Sequence, residues 1–290
     1  MRSHPECVPC LLQQGLNAVQ KLNLSADQQM HILLELARYL ASHQDLTLSP
    51  AHYAYHIQRL VKEVTGVEDP FYQVKKVSNR VALKLLQELS QLPTEDPLER
   101  AIKLSGAGNA VDFAIAQQLD LEERVKEILN TEPALFEYPL FLERLQKAEK
   151  VLIIGDNAGE IVLDRLLVEE LIKRGKEVIY AVKGAPILND ALMEDAEEAG
   201  LTSLCRVVSN GSDRVGTVLE DCSQEFRRLF QEAHLVISKG QANFETLSKA
   251  DREIFFLLTV KCLPIERETG GKKGRIFFGT CQGKKNRYTF

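Results

Sequence analysis

Four short polar stretches carry the residues best suited to chemistry: Gly155-Asp156-Asn157-Ala158-Gly159-Glu160, Lys183 to Asp190, Ser209 to Gly216, and Ser238-Lys239-Gly240-Gln241-Ala242-Asn243. Asp156 and Asn157 set a carboxylate beside an amide oxygen. These are hard donors of the kind magnesium and manganese take together with water and substrate phosphate. Either residue could equally cap the helix that follows. Asp190 opens a helix, as an N-cap or as a third oxygen ligand at the same site. Ser212 lies in a stretch that either cradles an anion at a helix N-terminus or turns the chain. Lys239 directly follows an apolar run, where an ammonium needs an anionic partner; a substrate phosphate would supply one. The first stretch lacks the three spaced glycines of a dinucleotide loop and the Gly-Lys-Ser/Thr of a Walker loop.

The positions of these stretches follow from the apolar periodicity. Before residue 148 helix-period segments dominate: Cys10 to Leu22, Asp27 to Ser42, Pro50 to Val64 and Asp69 to Ser90. Ile32, Leu33, Leu36 and Leu40 show the spacing. After residue 148 short apolar runs alternate with helical segments. Val151 to Ile154 precedes a helix from Ile161 to Arg174, and Val178 to Val182 precedes one from about Ala191. Cys205 to Val208 precedes a helix reaching Phe230, Leu235 to Ile237 precedes one from about Phe244, and Ile254 to Cys262 reads as a final strand. Buried runs alternating with helices predict βα units on a parallel sheet. The expected fold is α/β: a Rossmann-like, doubly wound, mostly parallel sheet in three layers over residues 148–290, with an all-α subdomain over residues 1–147. All four polar stretches then fall at the carboxyl ends of strands, where ligands bind in open α/β sheets.

Composition excludes several classes. The 290 residues are 44% hydrophobic and 27% charged, ordinary for a globular chain. Thirty-six Lys and Arg against 41 Asp and Glu leave a net charge of −5, a poor match for nucleic acid. The basic residues Lys272, Lys273, Arg275, Lys284, Lys285 and Arg287 read as a solvated tail. No apolar run approaches a membrane span and no secretory signal is visible, so the expected address is the cytoplasm. Six cysteines then argue for reduced thiols or metal ligands. Cys7-Val8-Pro9-Cys10 heads the first helix, where the dipole favours thiolates, and Cys262 becomes a third ligand if the N-terminus folds back onto the sheet. His52 and His56 share a helix face without an HExxH pattern and read as structural.

Taken in order along the chain, several of these segments resemble the damage-control phosphatase family, also called acidic-residue-methyltransferase-like. They are Gly155 to Ile161 with Asp164, Leu188-Asn189-Asp190-Ala191 with Asp195-Ala196, and Ser238 to Glu245. Cys7 to Leu11, the Lys261-Cys262 pair and Gly108-Asn109-Ala110-Val111-Asp112 resemble its prokaryotic, cysteine-bearing branch. The resemblance implies a metal-dependent phosphatase acting on small, damaged or surplus phosphometabolites such as sugar phosphates or phosphopantetheine-like compounds. It implies Asp156, Asn157 and Asp190 as ligands of a divalent ion (magnesium, manganese, cobalt or nickel), with Asp156 also catalytic. By the same resemblance Lys239 is catalytic and with Asn243 holds the substrate phosphate, Asn109 and Asp112 line the cleft from the helical side, and Cys7, Cys10 and Cys262 lie together around a second metal. Two other readings stay open: an S-adenosylmethionine-dependent carboxyl methyltransferase, and a non-catalytic metal- or phosphometabolite-binding protein.

Overall fold

Turn chemistry and apolar periodicity build the first helices. The computed structural model describes residues 1–43, 47–90, 94–109 and 118–281. Helices α1 (Cys7–Gln20), α2 (Ala26–Ser42) and α3 (Pro50–Thr65) open the chain. Ser25 and Gln28 form a capping box at the head of α2, and Ser49 with Pro50 starts α3. Each hydroxyl satisfies an N–H that the helix itself leaves orphaned. The inward faces of these helices, including Leu11, Leu36, Ile57 and Val61, form an apolar cluster of their own. Helices α4 (Tyr72–Leu89), α5 (Pro97–Gly108) and α6 (Gln118–Asn130) follow.

Strand β1 (Leu135–Phe136) and helix α7 (Tyr138–Lys147) lead into the alternating part. It runs β2 (Lys150–Ile154), α8 (Glu160–Lys173), β3 (Glu177–Val182), α9 (Met193–Glu198) and β4 (Arg206–Ser209). It continues through α10 (Gln224–Glu232), β5 (Leu235–Lys239), α11 (Gln241–Leu247), β6 (Phe255–Thr259), α12 (Leu263–Thr269) and β7 (Ile276–Gly279). The strands form one seven-stranded sheet in the order β1-β7-β6-β5-β2-β3-β4. Every neighbouring pair is parallel except β6 with β7.

Both faces of the sheet are buried, with a period of two. Val151, Ile153, Val178, Tyr180, Ile237 and Phe255 pack toward α4, α5, α7 and α8. Leu152, Ile154, Ile179, Val236 and Phe256 pack toward α10, α11 and α12. Helices on both faces explain the continuous apolar runs of these strands. Strand β2 lies between β5 and β3, so the winding direction reverses between β2 and β5. The loops leaving those two strands open onto one crevice at that switch point.

The sheet extends beyond the expected run of strands. Leu135–Phe136 joins it ahead of residue 148, pairing with β7. Helices α4 and α5 come from the first half of the chain yet share one apolar cluster with the strands. The strand expected to run from Ile254 to Cys262 ends at Thr259, and Cys262 caps α12 instead. The tail reading of the basic residues also needs correction. Lys272 and Lys273 are exposed, but they lead into β7, whose four residues are all buried. A four-residue run after a basic, glycine-rich stretch is too short for periodicity to reveal. Lys284, Lys285 and Arg287 lie outside the described residues.

Because the α5 face and the sheet share a core, truncating that face weakens the whole molecule. Leu104→Ala, at a buried α5 position, is expected to lower global stability by about 2–5 kcal/mol. Urea unfolding followed by circular dichroism should keep a single transition at lower midpoint; a separate early transition for the helices would contradict the shared core.

Candidate active site

The loop leaving β2 carries Asp156 and Asn157, and the loop leaving β3 carries Asp190. Their backbones meet in an antiparallel bridge at Asn157 and Asp190. The Ala191 N–H donates to the Asp156 carbonyl at 2.8 Å, and the Ala158 N–H to the Asn189 carbonyl at 2.9 Å. Three residues more than thirty positions apart at the extremes are thereby set side by side. Gly240 closes in from the end of β5 at φ 78°, and a Cβ there would come within 1.9 Å of Asp156 Oδ2. Only glycine accepts both the conformation and the contact.

Asp156 and Asp190 are buried together with Glu160 and Asp164, all at 7% exposure or less. Asn109 reaches down from the end of α5, and its Nδ2 donates to Asp156 Oδ2 at 2.9 Å and to Glu160 Oε2 at 2.8 Å. Its Oδ1 accepts the Thr259 N–H at 3.1 Å. Asn157 Nδ2 also donates to Asp156 Oδ2, at 2.8 Å. Two ammonium groups enter this acidic cluster. Lys239 Nζ donates to Glu160 Oε1 at 2.5 Å and Asp164 Oδ1 at 2.6 Å. Lys183 Nζ lies 3.4 Å from Asp190 Oδ2 but spends its hydrogen bonds on the carbonyls of Arg214 and Gly216. Among the described residues Asp190 Oδ2 is left buried with no hydrogen-bond partner.

Crowding of this kind disfavours ionisation. Burial, then the charges of Glu160 and Asp190, hold the Asp156 carboxyl well above its ordinary pKa, and Lys261 and Lys183 offset this only in part. Burial likewise raises Asp190, against the pull of Lys183. Burial works against the Lys239 ammonium, yet Asp164 and Glu160 outweigh it and push its pKa up to about 12.

A cavity of about 190 Å³ opens beside this cluster, with Asp156, Asn157 and Asp190 at one end. Helices α1, α3 and α11 close over it, contributing Leu11, Ala54 and Ala242. Its other polar lining includes Lys261, which is exposed, and the buried Glu245. Cys7, Cys10 and Cys262 share the same wall, so the N-terminus does fold back against the sheet. Burial holds all three thiols above the ordinary range and Glu245 adds to it, which outweighs the helix-dipole effect expected for the CxxC. Among the described residues no group of three or more His, Cys, Asp or Glu is arranged to hold a metal ion. The three cysteines therefore do not form a ready ligand set, and a cation at Asp156 and Asp190 would draw on the Asn157 amide.

Four of the five expected substrate contacts lie away from the cavity lining. Lys239 is fully buried beneath the cavity and is saturated by its two carboxylates and the Ser105 carbonyl. Asn243 donates to the carbonyls of Gly155 and Lys239 and accepts from Thr217 Oγ1, so it staples β5 to the loop after β2. Ser212 Oγ accepts the Arg214 N–H within its own turn. Asn109 touches Asp156 rather than the cavity, and Asp112 lies outside the described residues. His52 and His56 stack in an aromatic group with Tyr39, away from the cavity.

The damage-control phosphatase ARMT1-like domain matches residues 3–276. The chain belongs to that family. A damage-control phosphatase of Pyrococcus horikoshii is 34% identical over 279 residues, covering 95% of this chain and 97% of the relative. The crystal structure of a DUF89 family protein from the same organism superposes with a TM-score of 0.90 at 33% identity, covering 97% of this chain and 99% of that one. A 4'-phosphopantetheine phosphatase of Mus musculus is 33% identical over 145 residues, which is 44% of this chain and 18% of that protein. Family membership places the chain among the damage-control phosphatases.

Sequence reasoning on this family member missed three residues of the site. Glu160 was read only as part of a motif, although its place three residues after Asn157 at a helix start puts it within reach of the loop. Lys261 was placed inside a strand. Glu245 sits on the buried face of a short helix, where its Oε2 accepts the Ala51 N–H at 2.9 Å and its Oε1 accepts from Gln241 Nε2 at 3.1 Å. Burial raises Glu245 from 4.5 to about 7, so across that window the native state holds a proton that the unfolded chain releases. Stability therefore falls as pH rises through the window, by an amount of order 3 kcal/mol. Glu245→Gln should remove that slope, read as the change in urea-unfolding free energy between pH 5 and 8 relative to the parent protein; an unchanged slope would contradict the assignment.

Proposed function

We propose that this chain is a metal-dependent phosphomonoesterase for small phosphometabolites, with the divalent ion held by Asp156, Asn157 and Asp190. The observation that carries the reading is a charge imbalance. Among the described residues the ammonium groups paired with Asp156, Glu160, Asp164 and Asp190 are those of Lys183 and Lys239, and Asp190 Oδ2, 3.4 Å from Lys183 Nζ, has no hydrogen-bond partner. An excess of two buried carboxylates is costly unless a dication compensates it. The oxygen-only donors match magnesium or manganese, with cobalt and nickel as substitutes. When bound, such an ion polarises phosphoryl oxygens and lowers the pKa of a coordinated water.

The protein's own groups do the rest. Asn109 and the Asn157 amide hold Asp156 Oδ2 in one orientation. Lys261, the exposed ammonium at the cavity, meets the charge of the phosphate that the ion leaves uncompensated. The lining from Leu11, Ala54, Val215 and Ala242 takes a compact alcohol portion. A sugar phosphate or a phosphopantetheine-like ester is the substrate class proposed, the second supported by the mouse relative. Among the described residues no cysteine forms a disulfide, which accords with a reducing compartment such as the cytoplasm. Among the described residues no helix is long and apolar enough to cross a membrane.

EDTA-stripped protein should release no phosphate from para-nitrophenyl phosphate or a phosphomonoester panel, and added magnesium, manganese, cobalt or nickel should restore turnover. Asp156→Ala and Asp190→Ala are expected to cut the restored rate by more than about a hundredfold; unaltered rates in either variant would refute the ligand set. Lys261→Ala should raise KM about tenfold, the order expected for one charge-assisted hydrogen bond, with a smaller change in kcat.

A further inference from the structure

The orientation of the Asn157 side chain is decided by its neighbours. Its Nδ2 donates to Asp156 Oδ2 at 2.8 Å and to Glu160 Oε2 at 3.3 Å. Carboxylate oxygens only accept, so the NH₂ end must face them and the carbonyl oxygen must face the other way. Asn157 lines the cavity, and among the described residues its Oδ1 has no hydrogen-bond partner. Were the amide turned over, it would present two N–H groups at the cavity, and N–H groups repel a cation.

Glu160 is the neighbour held most firmly. It is the first residue of α8, is almost wholly buried, and is gripped at Oε1 by Lys239 Nζ at 2.5 Å. Lys239 is fixed in turn by Asp164, whose other oxygen accepts the Tyr180 hydroxyl at 2.6 Å, and by the Ser105 carbonyl at 3.2 Å. With Oε1 taken by Lys239, Oε2 is left to accept from both asparagines, Asn109 at 2.8 Å and Asn157 at 3.3 Å. The chain Lys239–Glu160–Asn157 thus runs from the interior to the cavity wall, each link fixing the donor and acceptor ends of the next.

We propose that Glu160, clamped by Lys239, is a positioning residue that orients the Asn157 amide so that its carbonyl oxygen is the atom offered to the divalent ion. Lys239 then acts on the site from beneath, through Glu160, and not on substrate. This inference rests on the metal reading above and assigns to Glu160 and Lys239 a part in it that their exclusion from the cavity hides. A second sphere of this kind is worth roughly ten- to a hundredfold in metal affinity in other sites.

The test is manganese affinity, measured by titration calorimetry on the whole stripped protein, with thermal melting to verify folding. In Glu160→Gln the amide oxygen stays with Lys239 and the NH₂ end faces Asn157 Nδ2, which favours the turned-over Asn157 amide and should weaken manganese binding at least tenfold. An aspartate at 157 has two equivalent oxygens and needs no orienting, so Asn157→Asp should make the site indifferent to Glu160. The double variant Asn157→Asp/Glu160→Gln conserves total charge and reverses donor and acceptor, and should bind manganese within threefold of Asn157→Asp or tighter. An affinity for Glu160→Gln within threefold of the parent protein overturns the proposal. So does a double variant at least tenfold weaker than Asn157→Asp, a comparison that stands even if Glu160→Gln alone fails to fold. Absence of manganese binding by the parent protein overturns the metal reading and this inference with it, whereas parental binding unaffected by Glu160→Gln overturns this inference alone.

Discussion

Burying four carboxylates around one point, with two ammonium groups to balance them, is the constraint on which the rest of the structure depends. An isolated buried charge is unstable by many kcal/mol, so each member must be paired, hydrogen-bonded or matched to a cation. Lys239 meets that requirement for Glu160 and Asp164 together, with Tyr180 and Ser105 taking the remaining acceptor positions on Asp164. Among the described residues Asp156 makes no ion pair and Asp190 meets Lys183 only at 3.4 Å, and both lie at the mouth of the crevice. The interior is satisfied and the surplus negative charge is concentrated where a ligand can reach it.

The fold supplies that arrangement through its switch point. Winding reverses between β2 and β5, so the loop with Asp156 and Asn157 and the turn at Gly240 lie side by side, and β3 brings Asp190 from the other flank. Helix α5 ends at this crevice, which lets Asn109 reach Asp156 and Thr259 at once. Helices α1 and α3 then roof the cavity, packed with α2 in a separate apolar cluster that also takes in Ile187 and Val215 from the sheet's loops. The roof determines the room available to the alcohol part of a substrate, while the sheet's loops hold the groups that act on the phosphate. These two tasks are carried by different parts of the chain.

The helices and the central strands were readable because periodicity reports which face of an element is buried. Strand β7 was not, since Ile276 to Gly279 is four residues long and follows a basic, glycine-rich stretch. Asp156, Asn157 and Asp190 could be proposed as companions because all three fall at strand ends. Lys239 was equally visible as an oddity, a lysine after an apolar run, but its partner was misjudged. From sequence, the anion it requires could be a substrate phosphate or a carboxylate, and only the placement of Glu160 and Asp164 on the neighbouring helix selects the second. Apolar periodicity does not place Lys261 at the cavity, because the preceding run gives no sign that the strand stops at Thr259.

By itself the sequence determined the alternation of strands and helices, the loops that hold chemistry, and the residue types able to bind a hard cation, since these follow from local periodicity and from the donor atoms each side chain carries. Tertiary structure alone decided which charges neutralise one another. Pairing of Lys239 with Glu160 and Asp164, the reach of Asn109 to Asp156 and the place of Lys261 at the cavity depend on distances between elements far apart in the chain. Electrostatic energy varies with distance and burial, neither of which a linear order of residues specifies.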